Sequence, residues 1–324
     1  MSGLYKFGGL VFVCILLLAG VLWLTDGDDA AVASPADGGA PVAEEALRAE
    51  DAPAVAIAAG EAGCAPDGAP VPLGDELRES SGVAASRAHA GIAWTHNDSG
   101  DPVLFAVDAR GRTAGRVSVT GATVEDWEDI SIAPCPGGGD CLYVADIGDN
   151  DAARGTVTVW RVPEPAPGDA RTAPATAIRL RYPDGAHDAE AMFVLDGAIH
   201  LVTKGETGPI AIYRAPAGAG AEATLERVRT LSAEKVKRQQ RVTSADASAD
   251  GRWVAMRTLR DVSVYPAAAL LGSGEVSPRR VDVKSLDEEQ GEGIGFAPDG
   301  ALLLTSEGSG KTPATLARLA CTLE

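Results

Sequence analysis

The chain has 324 residues, of which 45% are hydrophobic and 23% are charged, and its formal net charge is −18. This length allows one large domain or two of ordinary size, and the apolar content excludes a chain that is disordered throughout. The acidic balance argues against nucleic acid as a partner, because neutralising phosphates requires clustered Lys and Arg. The charge is uneven, since more than half of it lies between Asp26 and Glu76, where Arg48 is the one basic residue.

An unbroken apolar run of 18 residues, Phe7 to Leu24, stands near the start of the chain. As a helix it would extend about 27 Å, close to the roughly 30 Å hydrocarbon core of a bilayer. Lys6 precedes the run and aspartates follow it, which predicts a transmembrane signal anchor over residues 1–25 with a cytoplasmic N-terminus. The rest of the chain is then extracytoplasmic at the cell membrane. A cleaved signal peptide and a secreted protein are the alternative, because a small-x-small site begins at Ala31.

Residues 26–62 are rich in Ala, Gly, Pro and acidic side chains and show no sustained helical or alternating periodicity. Such a composition does not provide enough apolar surface to offset the entropy of ordering the chain. The segment is therefore predicted to be a disordered linker between the anchor and the domain that follows.

From Glu79 onward, short apolar strands alternate with Gly, Pro and Asp, and one unit recurs about every fifty residues. It consists of an acidic or small residue, an apolar strand, a turn and a second apolar strand, and its clearest copy runs from Glu292 to Glu307. Equivalent residues of the second strands are 49, 58, 52 and 50 positions apart: Trp94, Tyr143, Leu201, Trp253 and Leu303. Four antiparallel strands repeated at this period are typical of a β-propeller. The sequence predicts an all-β fold, one propeller of five four-stranded blades over residues 63–324, with six blades as the alternative.

The cysteines indicate how the ring closes. The fifth repeat ends after its third strand near Cys321, so its fourth strand must come from elsewhere, and the segment from Cys64 to Leu73 is the available donor. We predict a Cys64–Cys321 bridge there, and a second bridge in the hairpin that Cys135 and Cys141 bracket. The four cysteines that follow the apolar run allow three pairings. Only this pairing both joins the ends of the ring and bridges the hairpin.

The first strand of each blade lines the axis of a propeller, so equivalent positions on these strands form a ring. The repeats predict one such residue for each blade: Ser81, Glu128, Glu190, Thr243 and Glu292. Three glutamates near one axis repel each other unless cations or shared protons intervene. Hard divalent cations bind carboxylate oxygens, which predicts a site for calcium or another divalent cation. Its candidate ligands are Glu128, Asp146, Glu190 and Glu292.

Other polar residues follow the second strands. His96, Asn97, Lys204 and Arg257 are candidates for contacting a small polar ligand at the same end of the axis. Lys204 and Arg257 are also available as internal cations, in which case these residues form a salt-bridged ring that only fills the channel. Turn chemistry alone also produces such polar loops, so both interpretations stay open.

Two stretches resemble blades of known bacterial propellers: Glu292–Gly300 (EGIGFAPDG), and Asp126–Ile130 (DWEDI) with Tyr143–Asn150 (YVADIGDN). They are similar to the phytase-like esterase propellers and to the gluconolactonase, or regucalcin-like, propellers. In the lactonase group an axial divalent cation is held by Glu, Asn and Asp, so the resemblance implies that Glu292 or Glu128, with Asp146, plays that part. The chain departs from these groups in having five repeats where they have six, and in placing Lys204 and Arg257 at the centre.

Three functional hypotheses follow. The first is a membrane-anchored, extracytoplasmic propeller that binds a cation or a small polar ligand at its axial channel. The second is a metal-dependent hydrolase of a lactone, an ester or a phosphoester, with Glu128 or Glu190 as general base. The third is a scaffold whose faces bind other proteins.

Two motifs are assigned no chemistry. Gly308–Thr312 (GSGKT) imitates the end of a P-loop, but the first glycine of that motif is missing and no long helix is predicted after it. Lys235–Arg241 (KVKRQQR) is the one basic cluster of the sequence and is predicted to form an exposed loop between blades.

Overall fold

The computed structural model describes residues 63–218 and 222–324. The predicted anchor and linker lie outside these residues. In the part of the chain that is described, no helix has the length and apolar character needed to cross a membrane.

The described residues form 22 strands, which we number β1–β22 in chain order. Two short strands come first, β1 (Gly63–Pro66) and β2 (Val71–Pro72). The first four-stranded sheet contains β3 (Ser80–Ala85), β4 (Ile92–Asn97), β5 (Val103–Asp108) and β6 (Thr113–Ser118). The second contains β7 (Trp127–Pro134), β8 (Asp140–Asp146), β9 (Val157–Pro163) and β10 (Thr176–Arg181).

Three more sheets complete the fold. The third contains β11 (Ala189–Leu195), β12 (Ala198–Thr203), β13 (Ile210–Pro216) and β15 (Glu226–Ser232), while β14 (Glu222–Thr224) pairs in parallel with β10. The fourth contains β16 (Val242–Ala247), β17 (Trp253–Thr258), β18 (Val262–Pro266) and β19 (Arg279–Val281). The fifth contains β20 (Gln290–Phe296), β21 (Leu302–Glu307), β22 (Thr315–Thr322) and β1. Helical turns are short: α1 (Ala267–Leu271) and two 3₁₀ turns, Arg238–Gln240 and Lys284–Leu286.

The five sheets are the blades of a propeller. Each is antiparallel from its first strand to its third, and the first strands contact one another in the cyclic order β3, β7, β11, β16, β20 and back to β3. The predicted all-β fold and the count of five four-stranded blades are therefore confirmed.

Burial decreases from the axis outward and matches the sequence of each strand. All residues of the inner strands β3, β11 and β16 are buried, whereas outer strands such as β6 and β10 alternate between buried and exposed side chains. The cores between blades consist mainly of aliphatic side chains with one or two large aromatic residues, as where Trp94 and Trp127 pack between the first two blades. Aliphatic packing therefore suffices although only 5% of the chain is aromatic.

The ring closes as the cysteines predicted. Strand β1 pairs antiparallel with β22, with Cys64 directly opposite Cys321, and these two cysteines form a disulfide across 257 positions of sequence. In the chain-entropy account, a loop of this length is worth about 5.5 kcal/mol of unfolding free energy. Cys135 and Cys141 form the second disulfide, across the hairpin between β7 and β8. Both predicted bridges are confirmed.

Candidate functional site

Every blade has an irregularity at one end of the axis, where its first strand begins and its second strand ends. We call this end the mouth. In each blade the pairing of the first and second strands shifts register there, and the residues skipped by the shift include the five aligned by the sequence repeat: Ser81, Glu128, Glu190, Thr243 and Glu292. A bulge of this kind leaves a residue unpaired and re-aims its side chain. The repeated backbone feature thus places one side chain of each blade at the mouth.

The bulge hydroxyls of the first and fourth blades join neighbouring blades. The Ser81 hydroxyl donates to the carbonyl oxygen of Glu128, at 2.5 Å. The Thr243 hydroxyl lies 3.0 Å from the carbonyl oxygen of Glu292 and 3.1 Å from that of Gly291. These two hydroxyls therefore hold the first blade to the second and the fourth to the fifth, while the three glutamate side chains remain for other chemistry.

Glu128 is the least satisfied of the three glutamates. It is 9% exposed, and within the described residues no donor makes a hydrogen bond or ion pair with its carboxyl group. A methyl group at Gly148 would collide with both Glu128 Oε1 and Asp126 Oδ2, so the two carboxyl groups lie side by side over that glycine. Burial, followed by the charges of Glu190 and Asp126, raises the pKa of Glu128 well above its usual range.

Glu190 is paired with the ammonium group of Lys204. Lys204 Nζ forms a close ion pair with Glu190 Oε1 and lies 3.5 Å from Asp188 Oδ2 and 3.6 Å from Glu206 Oε2. Burial raises the pKa of Glu190 to about 7, against the opposing effect of Lys204. For Lys204, burial favours the neutral amine, but Glu190 and its neighbours outweigh that effect and raise the pKa above its usual value. The ammonium group is therefore charged at neutral pH.

Gln290 holds the third glutamate. Its Nε2 donates to Glu292 Oε1 at 2.7 Å and to Glu307 Oε2 at 3.0 Å, and its Oε1 accepts from Arg238 Nη2 at 3.0 Å. The predicted basic loop thus borders the mouth and orients this amide. Burial, with Glu190 and Glu307, raises the pKa of Glu292 well above its usual range. Burial likewise raises the pKa of Glu307 to about 7, with contributions from Asp98 and Glu79.

Both terminal nitrogens of Arg257 have partners at the fifth blade, whereas its Nε is buried without a hydrogen-bond partner among the described residues. The residue is 1% exposed, and its Nη1 donates to the carbonyl oxygens of Gly293 and Thr305, each at 3.0 Å. Its Nη2 pairs closely with Glu288. The guanidinium group therefore links the fourth and fifth blades.

The two candidates after β4 also have protein partners. His96 is 0% exposed, its Nδ1 lies 3.0 Å from the carbonyl oxygen of Asn97, and its ring meets the edge of Trp127. Burial lowers the pKa of His96 to about 4, so the ring is neutral. Asn97 Nδ2 donates to the carbonyl oxygen of Glu76 at 2.9 Å.

Most of the candidate metal ligands already have hydrogen-bond or ion-pair partners in the protein. Asp146 Oδ1 accepts from Arg154 Nη2 at 3.1 Å and from the amide of Asp126 at 3.1 Å, while Glu190 and Glu292 are bonded to Lys204 and Gln290. Among the described residues, no group of three or more His, Cys, Asp or Glu side chains has an arrangement that would hold a metal ion. Calcium takes six to eight oxygens, so this arrangement does not present a complete calcium site.

Two buried aspartates inside the ring were not among the sequence candidates. Asp129, in the second blade, accepts four hydrogen bonds from the second, third and fourth blades, at 2.8–3.1 Å: from the amides of Ile130, Met192 and Ala245 and from the Ser244 hydroxyl. Asp246, in the fourth blade, accepts from the Ser131 hydroxyl at 3.0 Å and the Phe296 amide at 2.8 Å. Burial raises the pKa of Asp129 well above its usual range and that of Asp246 to about 6, and these donors oppose both shifts. The two carboxyl groups bind the inner strands to each other.

A cavity of about 580 Å³ lies away from the mouth, between the first and fifth blades. It is lined mainly by apolar side chains such as Ile92, Val107 and Leu316. The charged groups of Arg318 and Asp299 at its border pair with each other. None of the candidate site residues lines it.

The chain matches no protein-family model and no curated protein. Its fold is similar to that of the aldose sugar dehydrogenase from Streptomyces coelicolor, which was solved in its PQQ-bound form. The two sequences are 11% identical, the match covers 81% of this chain and 99% of that chain, and the TM-score is 0.50. Other similar structures are the soluble aldose sugar dehydrogenase from Escherichia coli (12% identity, 78% and 99% covered, TM-score 0.48) and regucalcin, a calcium-binding protein from Agrobacterium tumefaciens (15% identity, 83% and 98% covered, TM-score 0.41). These neighbours include the regucalcin group to which the sequence was compared. At these identities the likeness shows the fold alone.

Proposed function

We propose that this protein is a membrane-anchored, extracytoplasmic binding propeller whose mouth takes a cation or a small polar ligand. The observation that carries the proposal is the state of Glu128. It is nine-tenths buried and receives no hydrogen bond from the described residues, whereas the carboxyl groups of the other candidate metal ligands, Asp146, Glu190 and Glu292, all have protein partners. Burying an unpartnered carboxyl group costs free energy, and a ligand that binds there recovers it.

The position of Glu128 supports the same proposal. It lies on a bulge at an axial opening, beside a second carboxyl group, Asp126, that also has no donor among the described residues. Burial and the Asp188 charge raise the pKa of Asp126 as well. A ligand that supplies positive charge or hydrogen-bond donors would satisfy both groups at once.

Thermal unfolding of the full chain tests this proposal. The protein is first freed of metal, and its Tm is then measured with Ca²⁺, Mg²⁺, Mn²⁺, methylammonium and glucose, each in excess. A ligand of the native state raises the Tm by an amount that grows with its concentration. We expect at least one probe to raise it, and Glu128→Gln to abolish that rise.

The matched control is Glu226→Gln, which removes an exposed carboxylate that pairs with Arg214 on the outer edge of the third blade. This variant should respond to the probes as the unchanged protein does. If no probe raises the Tm in a manner that depends on Glu128, the proposed binding function is wrong.

A second candidate, hydrolysis of a lactone, an ester or a phosphoester, is favoured by the pKa of Glu190, about 7, beside the raised pKa of Glu128. A carboxyl group whose pKa lies near the working pH is suited to general acid–base catalysis. Turnover of a panel of lactones, carboxylate esters and phosphate esters tests it, with Glu128→Gln as the variant that should lose activity. Turnover that survives this substitution would reject Glu128 as the acid or base.

A further inference from the structure

We propose that the ligand of the mouth is a primary ammonium compound, whose ammonium group binds between Asp126 and Glu128, next to the ammonium group of Lys204. This inference rests on the proposed function and names the chemical class of its ligand.

The ammonium group of Lys204 is bound by oxygen atoms at the mouth. Its ammonium group is surrounded by the carboxyl groups of Glu190, Asp188 and Glu206, and its Nζ lies 3.3 Å from the amide oxygen of Asn150. An ammonium group has three N–H donors and no acceptor, so a cluster of oxygens is the environment that it requires. The side chain thus acts as a tethered ammonium ligand that is bound by the protein itself.

A second set of oxygens adjoins this one and has no such partner. Asp126 Oδ2 and Glu128 Oε1 both face Gly148, and within the described residues no donor reaches either carboxyl group. Glu128 is nine-tenths buried. Two cations act on this pair, Arg154 on Asp126 and Lys204 on both groups, but both cations form their ion pairs with other carboxylates. The pair is therefore a second set of oxygens without an ammonium group from the protein.

Coordination favours an ammonium group over a divalent metal at this position. Two carboxyl groups supply four oxygens, whereas Ca²⁺ takes six to eight. Among the described residues, no third His, Cys, Asp or Glu side chain joins them in a metal-binding arrangement. An ammonium group needs acceptors for three hydrogens, and two carboxylates provide them.

The test uses the full chain and four probes: methylammonium, tetramethylammonium, Ca²⁺ and glucose. Tetramethylammonium carries the same charge as methylammonium but has no N–H donor. Calorimetric titration at pH 8 should show methylammonium binding at least ten times more tightly than tetramethylammonium.

Variants assign the position. Glu128→Gln and Asp126→Asn should each weaken methylammonium binding at least tenfold, and Glu226→Gln should leave it unchanged. The Tm without ligand shows that each variant is folded, and using two variants protects the test against one that is not. A Glu128-dependent response to Ca²⁺ or glucose that exceeds the response to methylammonium overturns the ammonium inference and leaves the proposed function standing. No Glu128-dependent response to any probe overturns both.

Discussion

Glu128 and Asp129 are neighbours in sequence, and both are buried near the axis, but their surroundings differ completely. Asp129 receives four hydrogen bonds from three blades, whereas Glu128 receives none from the described residues. Burial raises the pKa of both groups, so a raised pKa does not distinguish them. The presence or absence of donors does: Asp129 stabilises the ring, and Glu128 is available to a ligand.

The bulge in β7 produces this difference. The register of β7 and β8 shifts between Trp127 and Asp129, which leaves Glu128 unpaired at the mouth. Pairing resumes at Asp129, whose side chain extends to the third and fourth blades. A methyl group at Gly82 would collide with Asp129 Oδ1 and the Ile130 amide, so the first blade also packs tightly around this group.

The largest expected effect is that of Asp129→Ala. It removes the acceptor of three buried amides and leaves the Ser244 hydroxyl with only the carbonyl oxygen of Ile294, 3.5 Å away. Removing one partner of such a network costs about 3–5 kcal/mol of unfolding free energy. Urea denaturation measures this loss. Glu226→Ala, at an exposed ion pair, should change the unfolding free energy by less than about 1 kcal/mol. If Asp129→Ala also lost less than about 1 kcal/mol, Asp129 would not stabilise the ring, and the contrast between Asp129 and Glu128 would be wrong.

Lys204→Met should cause the next largest loss of unfolding free energy. Without the ammonium group, the buried carboxyl groups of Glu190 and Asp188 lose their counter-charge, at a cost of about 2–3 kcal/mol at pH 8. The pKa of Glu190 is about 7 with Lys204 present, and removing Lys204, which lowers it, raises it further, so in the variant this carboxyl group is protonated at pH 5 and the repulsion is relieved. The loss should therefore be smaller at pH 5 than at pH 8. An equal loss at both pH values would mean that Lys204 contributes through packing alone.

Glu128→Gln should change the unfolding free energy least, and it should raise it where the other two substitutions lower it. The folded-state pKa is above the unfolded value, so the folded protein binds more protons, and its stability falls as pH rises from the unfolded to the folded pKa. Glutamine resembles the protonated acid and avoids this loss. We expect a gain in unfolding free energy at pH 8 that is smaller than the loss caused by Lys204→Met and that diminishes toward pH 5. Destabilisation at pH 8 would show that an unseen donor already satisfies Glu128.

Repetition made much of the fold predictable. Because each blade repeats at about fifty residues, residues such as Tyr143 and Leu303 aligned without any structure, and the same alignment predicted Glu128, Glu190 and Glu292 as equivalent positions. The cysteines predicted the closing strand, since the fifth repeat lacked one. These are local or periodic signals, which a single sequence carries.

What the sequence did not indicate depends on contacts between distant blades. Asp129 has no acidic equivalent in the other blades, and its partners Ser244 and Ala245 are more than a hundred positions away. Arg257 was interpreted as a ligand contact because it ends a second strand, but its guanidinium group extends to Gly293 and Thr305 of the next blade. The register shifts also left no signal, because skipping a residue changes the pairing and not the composition. The anchor over residues 1–25 and the linker over residues 26–62 stay predictions.

The Cys64–Cys321 disulfide also has a mechanical consequence. Cys64 is the second residue of β1, so tension arriving along the preceding chain loads only the Gly63–Thr322 pair before it meets the covalent link, and the rest of the β1–β22 pairing lies behind that link. The load then passes directly into β22, which is paired with β21 over five residues as well as with β1. Force applied to this end of the domain is therefore transmitted to β22 and β21 of the fifth blade. Strand β1 cannot separate from β22 while the disulfide is intact.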